Sequence, residues 1–137
     1  RKERVLAVFD GRTVFVFGSN LRGRHGAGAA RHAATNWGAQ EGVGAGPTGR
    51  SYALPTKDRK IKTLSTTAIR MFVGDFIDYA KAHPELTFVV TQIGCGLAGY
   101  TPQIIAPMFR DAPKNCQFDV NWRPILGEGF GYWGHVG

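Results

Sequence analysis

Two glycine-rich segments are the part of this chain best suited to chemistry, because each follows an apolar run that predicts a strand. The first is Gly18–Gly28, after Thr13–Phe17, and the second is Gly94–Tyr100, after Phe88–Ile93. Exposed N–H groups in such loops and at helix N-termini bind phosphate without needing a side chain. In open α/β sheets, ligands collect beyond the carboxyl ends of the strands. The two loops therefore predict a site for two linked phosphates.

The spacing of these glycines differs from that of two well-known nucleotide motifs. Gly26-x-Gly28 is followed by Arg31 where the dinucleotide fingerprint has its third glycine. Gly44–Ser51 matches a P-loop except that arginine replaces the lysine, but no strand precedes it and Tyr52–Pro55 cannot open a helix. We therefore do not predict an NTPase.

The loops need a scaffold of alternating strands and helices, which the rest of the chain predicts. Such alternation is typical of an α/β fold with a mixed, largely parallel sheet. The expected strands are a hairpin from Arg4–Phe9 through Asp10-Gly11 to Thr13–Phe17, then Ser51–Pro55, Leu86–Ile93 and an edge strand over Gln117–Val120. The expected helices are Ala27–Trp37, a helix capped by Ser65 or Thr66 and ended by Pro84, and a helix from Thr101-Pro102 that Pro107 kinks. The remaining segments are a long loop over 38–50, a charged loop over Lys57–Lys62 and a loose glycine-rich tail over 127–137.

Both glycine loops resemble those of macrodomains, which are ADP-ribose-binding modules with a three-layer α/β/α fold. Gly18–Ala30 resembles the asparagine, glycine-rich loop and helix of that family, and Ile93–Tyr100 resembles its second phosphate-binding loop. Tyr52–Lys57 is similar to the strand and lysine of the terminal ADP-ribose glycohydrolase type. Small phage and bacterial macrodomain-like proteins show a similar pattern. The resemblance covers about residues 13–112 and implies one macrodomain-like domain over 1–137.

The resemblance also implies roles for individual residues. Asn20 would contact the distal ribose, and the second loop would close over the diphosphate, with Tyr100 as a stacking or lid group. The implied ligand-binding residues are Asn20, Gly23, Arg24, Gly26, Ala27, Gly28, Gly94, Cys95, Gly96, Leu97, Ala98, Gly99 and Tyr100. No cofactor is implied. The implied partner is ADP-ribose or a related NAD-derived nucleotide, free or attached to a protein or nucleic acid.

Catalysis is the point at which the sequence departs from the family. In the glycohydrolase type a lysine nucleophile, here Lys57, works with an aspartate in the second loop, but Ala98 stands at that position. Other hydrolytic macrodomains carry an acid at the start of the first-loop helix, where this chain has alanines. His25 is the remaining acid–base candidate. We therefore expect binding, with an ADP-ribosyl hydrolase or an ADP-ribose-phosphate phosphatase as the alternative.

Cys95 offers another catalytic alternative. Between two glycines and near helix N-terminal N–H groups, its thiol pKa would fall, although a cysteine in such a loop is more often packed than reactive. We predict no metal site, because His25 and His32 are not accompanied by ligands at a suitable spacing.

Charge supports a rival function in a different class. The net charge is +7, and it is unevenly spread: residues 1–70 carry thirteen basic and four acidic residues, whereas residues 71–137 carry four and six. A basic half attracts anions. Nucleic-acid binding is therefore the alternative, in which basic residues would track phosphates while Trp37 or Tyr52 stacks on bases.

Size and composition set the remaining expectations. The chain has 137 residues, of which 43% are hydrophobic and 20% charged, as in a globular domain. It has no apolar run long enough to span a membrane, and its basic first residues precede no signal-peptide core. Two cysteines cannot build a disulfide framework. We expect a cytoplasmic monomer that does not associate with membranes.

Overall fold

The computed structural model describes residues 11–136. The first strand of the predicted hairpin, Arg4–Phe9, lies outside them. The strands and helices, in chain order, are β1 (Thr13–Asn20), α1 (Gly28–Asn36), β2 (Gly46–Thr48), β3 (Ser51–Lys57), α2 (Thr66–Ala82), β4 (Thr87–Val90), α3 (Pro102–Ile105), a 3-10 turn (Ala106–Phe109), β5 (Cys116–Asp119), a second 3-10 turn (Val120–Trp122), α4 (Arg123–Leu126) and β6 (Gly131–Gly134).

These strands form one sheet in the order β2-β3-β1-β4-β5-β6. The β2–β3 pair is antiparallel, and the other neighbouring pairs are parallel. The prediction of an α/β fold with a mixed, largely parallel sheet is therefore confirmed, and the arrangement is consistent with three α/β/α layers. Because β3, β1, β4, β5 and β6 all run the same way, their carboxyl ends meet at one edge of the sheet.

Alternating side chains of β1 divide the core between the two faces of the sheet. Phe15 and Phe17 pack with Ala33 of α1 on one face. Val16, between them, packs with Phe76 of α2 on the other. Successive side chains of a strand point to opposite faces, so this single buried strand anchors a helix on each side.

Helix α2 follows the predicted pattern closely. The Ser65 hydroxyl accepts a hydrogen bond from the Ala68 N–H at 3.2 Å, which caps the helix. Ile69, Val73 and Phe76 are fully or almost fully buried against the sheet. The helix ends at Ala82, directly before the His83-Pro84 pair.

The glycine-rich segment 38–50 is not the continuous loop predicted from the sequence. Gly46–Thr48 forms β2, which pairs with β3 through a tight turn. The turn needs glycine, because Gly49 has a φ of +59° and a Cβ there would lie 2.2 Å from the Gly38 carbonyl oxygen. The close contact between Gly38 and Gly49 folds this segment back on itself.

The C-terminal region also differs from the prediction. Instead of a loose tail, Gly131–Gly134 forms β6, which pairs in parallel with β5. Its aromatic side chains account for the difference: Tyr132 and Trp133 are buried, and the Trp133 indole N–H donates to the Val90 carbonyl at 2.9 Å. Consequently β5 is an inner strand rather than the predicted edge strand.

Two other predicted boundaries move at the site edge. Strand β1 continues past the predicted end at Phe17 to Asn20, because its pairing with β3 continues to Lys57. Strand β4 ends at Val90, and turns begin within the segment Thr91–Ile93. Within the described residues, no helix combines the length and apolar character that crossing a membrane requires.

Candidate functional site

A cavity of about 690 Å³ opens where the carboxyl ends of the parallel strands meet. This volume lies within the range of about 300–1,000 Å³ that is usual for small-molecule sites. Both predicted glycine loops line the cavity, together with residues from four other places in the chain. The lining segments are Gly18–Asn20, Arg24, Gly26–Ala30, Thr56–Lys57, Ile61, Thr91–Gln92, Gly94–Ala98 and His135–Val136.

The N-terminus of α1 faces this cavity. The first hydrogen bond of the helix region runs from the Arg31 N–H to the Ala27 carbonyl at 3.2 Å, and Ala27 supplies no side-chain cap. The preceding N–H groups, over Gly26–Ala30, donate to no described residue. A helix leaves such groups unsatisfied and carries partial positive charge there, so this end favours an anion.

The second loop presents a similar set of donors. One tight turn and one wider closure shape it: the Gly99 N–H donates to the Gly96 carbonyl at 3.0 Å, and the Tyr100 N–H donates to the Gly94 carbonyl at 2.9 Å across the whole loop. Within this loop, the N–H groups of Gly96–Ala98 donate to no described residue. Consecutive N–H groups in turn conformation form a concave anion-binding surface.

The permanently charged side chains at the cavity have the same sign. Arg24 and Lys57 line it, and none of its described lining residues is Asp or Glu. Together with the backbone N–H groups, these side chains make the cavity suitable for an anionic ligand.

Asn20 lines the cavity, but its amide is engaged within the first loop. Its Nδ2 donates to the Arg24 carbonyl at 2.8 Å, and its Oδ1 accepts from the Arg24 N–H at 3.1 Å. Asn20 therefore shapes the loop directly. One N–H and one lone pair of this amide are not used by these two bonds, and only these would be available to a ligand.

Gly23, although part of the first loop, does not line the cavity. Gly23 packs against the 38–50 segment: its φ is +79°, and a Cβ there would lie 2.3 Å from the Gly42 carbonyl carbon. It is a packing residue rather than a wall of the site.

His25 is also directed away from the cavity. It is 4% exposed, its Nε2 lies 2.9 Å from the Gln40 carbonyl, and its ring packs edge-on against Phe17. The structure thus places His25, the predicted acid–base candidate, outside the cavity wall with its ring packed into the protein.

Gly99 and Tyr100 lie outside the cavity wall as well. The Tyr100 hydroxyl donates to the Leu64 carbonyl at 2.7 Å, and its ring is half-buried against the core. Gly99, with a φ of +90°, closes the second loop. Tyr100, the predicted stacking or lid group, therefore anchors this loop to Leu64 in the structure.

Cys95 lines the cavity but lacks the features of an activated nucleophile. The thiol is half-buried and lies 3.4 Å from the Ile93 carbonyl. Burial raises the pKa of Cys95 to about 11, and the nearby Trp122 indole N–H opposes this only in part. This raised pKa disfavours the thiolate on which a reactive Cys95 would depend.

Lys57 stands at the end of β3, on the cavity, beside a tight turn. The Asp58 carboxylate accepts from the N–H groups of Lys60 and Lys62, which lowers the pKa of Asp58 and directs it into its own turn. Ile61, in that turn, has a φ of +64° and lines the cavity. A left-handed β-branched residue is an outlier of the kind found at binding sites.

His135 and Asp119 form the part of the site that the sequence did not predict. The His135 Nδ1 lies 2.7 Å from the Asp119 Oδ2. Asp119 is fully buried, whereas 44% of the His135 side chain is exposed, at the cavity. The carboxyl ends of neighbouring strands are where such a pair would be expected, but the glycines around residue 131 predict a loose tail, which hides the strand that brings His135 to Asp119.

We compared the chain with protein-family models, curated proteins and solved structures, and none matched. The site is a cavity at the carboxyl edge of the sheet, lined by Arg24, by Lys57 and by N–H groups that have no acceptor within residues 11–136. Among residues 11–136, no group of His, Cys, Asp and Glu is arranged to hold a metal ion.

Proposed function

We propose that this protein binds ADP-ribose or a closely related NAD-derived nucleotide in the cavity at the carboxyl edge of its sheet. One observation carries the proposal. Two separate stretches of backbone, Gly26–Ala30 and Gly96–Ala98, bring N–H groups with no described acceptor to the same cavity. A diphosphate supplies acceptor oxygens on two linked centres, and it matches donors on two facing loops.

The remainder of the cavity supports a ligand larger than a diphosphate. The lining extends beyond the two loops, to Lys57 on one side and to His135 on the other. A nucleotide with sugars on both sides of the diphosphate would occupy these extensions. The macrodomain-like pattern of the two loops supports ADP-ribose in particular.

A hydrolase is the alternative use of the same site. It is favoured by Lys57, which lines the cavity and is the Cα partner of Asn20. A lysine nucleophile also needs a partner for proton transfer. Asp58 is held by its own turn, and no Asp or Glu of residues 11–136 lines the cavity, so binding without turnover is the better-supported function.

The setting that we propose is a monomer in the cytoplasm. The free thiols of Cys95 and Cys116 are in keeping with a reducing compartment. The bound nucleotide could be free or attached to a protein or nucleic acid.

Calorimetric titration of the protein with ADP-ribose, with AMP and ADP as controls, tests the proposal. We expect 1:1 binding that is stronger for ADP-ribose than for either control. Equal affinity for AMP would contradict a site that spans both halves of the ligand. A lack of heat and of any thermal stabilisation by all three nucleotides would overturn the proposal.

A further inference from the structure

We propose that His135, oriented by Asp119, binds the amino group of the nucleobase and selects adenine over bases with a 6-oxo group. The inference rests on the proposed function, since it assigns one end of the same cavity. It follows from the tautomer that the buried carboxylate imposes on the imidazole ring.

Asp119 fixes the orientation of the ring. Its carboxylate is fully buried and makes two short contacts, in which Oδ1 accepts from the Asn121 N–H at 2.8 Å and Oδ2 lies 2.7 Å from the His135 Nδ1. The amide nitrogens of Gln92 and Asn121 are farther from Nδ1, at 3.5 and 3.3 Å. The carboxylate is therefore the closest partner of this nitrogen.

The second ring nitrogen of His135 is left available to a ligand. An ionised carboxylate accepts hydrogen bonds but cannot donate one, so Nδ1 carries the proton in the neutral ring. The Nε2 of His135 then presents a lone pair, and it contacts no described polar group. With 44% of the side chain exposed and the residue on the cavity wall, this acceptor is accessible from the cavity.

Strand order places His135 far from Lys57. Between β3, which ends at Lys57, and β6, which precedes His135, lie β1, β4 and β5. Neighbouring strands are about 4.8 Å apart, so the two backbone positions are separated by about 19 Å along the sheet edge. The glycine loops follow β1 and β4, between these positions, and a diphosphate held there would send one half of the nucleotide toward each end.

The chemistry of the two ends differs, which orients the nucleotide. Lys57 brings an ammonium donor, which suits the hydroxyl oxygens of a ribose. The His135 Nε2 is an acceptor and needs a ligand group with an N–H. The 6-amino group of adenine provides one, whereas the 6-oxo group of hypoxanthine would bring a second acceptor against the lone pair. We therefore assign the base to the His135 end and the distal ribose to the Lys57 end.

Deamination of the ligand tests this assignment with little change in size. Wild-type protein would be titrated calorimetrically with ADP-ribose and with inosine diphosphate ribose, which differ only in the base. We expect a preference of about tenfold for ADP-ribose. His135→Ala should reduce the preference to within about twofold, while His32→Ala, at a histidine of α1 that does not line the cavity, should leave it unchanged.

Asp119→Asn makes a sharper prediction. The Asn121 N–H requires an acceptor from residue 119, so the asparagine oxygen takes that contact and its NH₂ group faces the His135 Nδ1. Nδ1 then becomes the acceptor and Nε2 the donor. We expect the preference to reverse in favour of inosine diphosphate ribose. Circular dichroism would check the folding of each variant.

The outcomes separate this assignment from the proposed function. If the wild type binds both nucleotides equally, or if folded His135→Ala keeps its preference for ADP-ribose, the assignment of the base is wrong and nucleotide binding stands. If the wild type binds neither nucleotide, the proposed function fails and this assignment fails with it. If Asp119→Asn does not fold, the result with His135→Ala decides.

Discussion

Asn20 and Lys57 are Cα partners at the end of the β1–β3 ladder, directly after a register shift between Ser19 and Asn20. The Leu21 N–H extends the contact by donating to the Lys57 carbonyl at 2.9 Å. The pairing joins the start of the first glycine loop to the end of β3. The backbone of Lys57, which carries the amine, is thereby held at the same edge of the sheet as the N–H groups of that loop.

Replacing Lys57 tests whether this amine contacts the ligand. We expect Lys57→Ala to weaken ADP-ribose binding by about tenfold or more, because a charge-assisted hydrogen bond is lost. Calorimetry would measure the change. Lys81→Ala, at an exposed lysine in the last turn of α2, is the matched control. If both variants bind like the wild type, Lys57 does not contact the nucleotide.

The same variant tests the hydrolase alternative. Release of ADP-ribose from a modified protein would be followed by chromatography with wild type and Lys57→Ala. We expect no turnover by either. Turnover that disappears in Lys57→Ala would favour a lysine nucleophile, whereas turnover that persists would exclude it.

Gly96 separates binding from folding. A Cβ at Gly96 would meet no atom within 4 Å, and neither would one at Gly74 on α2. Of these two glycines, Gly96 lines the cavity and Gly74 does not. We expect Gly96→Val to retain the wild-type melting temperature within a few degrees and to lose ADP-ribose binding, because the side chain blocks approach to the loop N–H groups. Gly74→Val should bind normally, and unchanged affinity in Gly96→Val would refute the role of the second loop.

Stability should fall at alkaline pH. Burial raises the pKa of Cys95 to about 11 and of Cys116 to about 12, and burial with nearby Asp75 raises that of Tyr52 to about 12. The ordinary pKa is 9.0 for cysteine and 10.0 for tyrosine, so above about pH 9 the unfolded chain loses protons that the folded protein retains. The free energy of unfolding is therefore highest below pH 9 and decreases toward pH 12.

Urea denaturation at pH 8 and at pH 10.5 would measure this decrease. We expect a lower midpoint at pH 10.5, with a smaller difference in Cys95→Ala, which lacks one of the three groups. Identical midpoints at the two pH values would show that these groups titrate alike in the folded and unfolded chain.

Salt dependence distinguishes a nucleotide cavity from a nucleic-acid surface. A ligand with a single diphosphate forms few ionic contacts, so raising salt from 50 to 200 mM should weaken its binding by less than about tenfold. An oligonucleotide bound along exposed residues such as Arg22, Arg31, Lys60 and Lys62 would lose about a thousandfold or more over the same range. Salt-sensitive oligonucleotide binding without ADP-ribose binding would favour the rival function.

The elements around the two loops could be predicted from the sequence because their signals are local. An apolar run followed by glycines identifies β1 with its loop and β4 with its loop, and the spacing of Ile69, Val73 and Phe76 identifies α2. A sheet with parallel inner strands then brings the loops to one edge. The fold class and the location of the cavity follow from these signals.

The roles of single side chains depended on partners that are distant in sequence. His25 contacts the Gln40 carbonyl and Tyr100 donates to the Leu64 carbonyl, and both residues lie outside the cavity wall. Strand β6 forms because Trp133 is buried against residues distant in sequence. The glycines that flank this tryptophan predict a loop instead. His135 was missed for the same reason, because it reaches the site only when β6 pairs with β5.

The left-handed conformation of Ile61 means that stability and ligand binding favour different residues at this position. This φ of +64° costs an isoleucine about 1–2 kcal/mol that glycine does not incur, yet the side chain forms part of the cavity wall. A directed-evolution screen for thermal resistance alone should accumulate Ile61→Gly, while a screen for nucleotide capture should restore isoleucine. Position 61 would drift toward glycine in a lineage that no longer uses the cavity. The residue found at this position in related proteins would therefore indicate whether their cavity still binds a ligand.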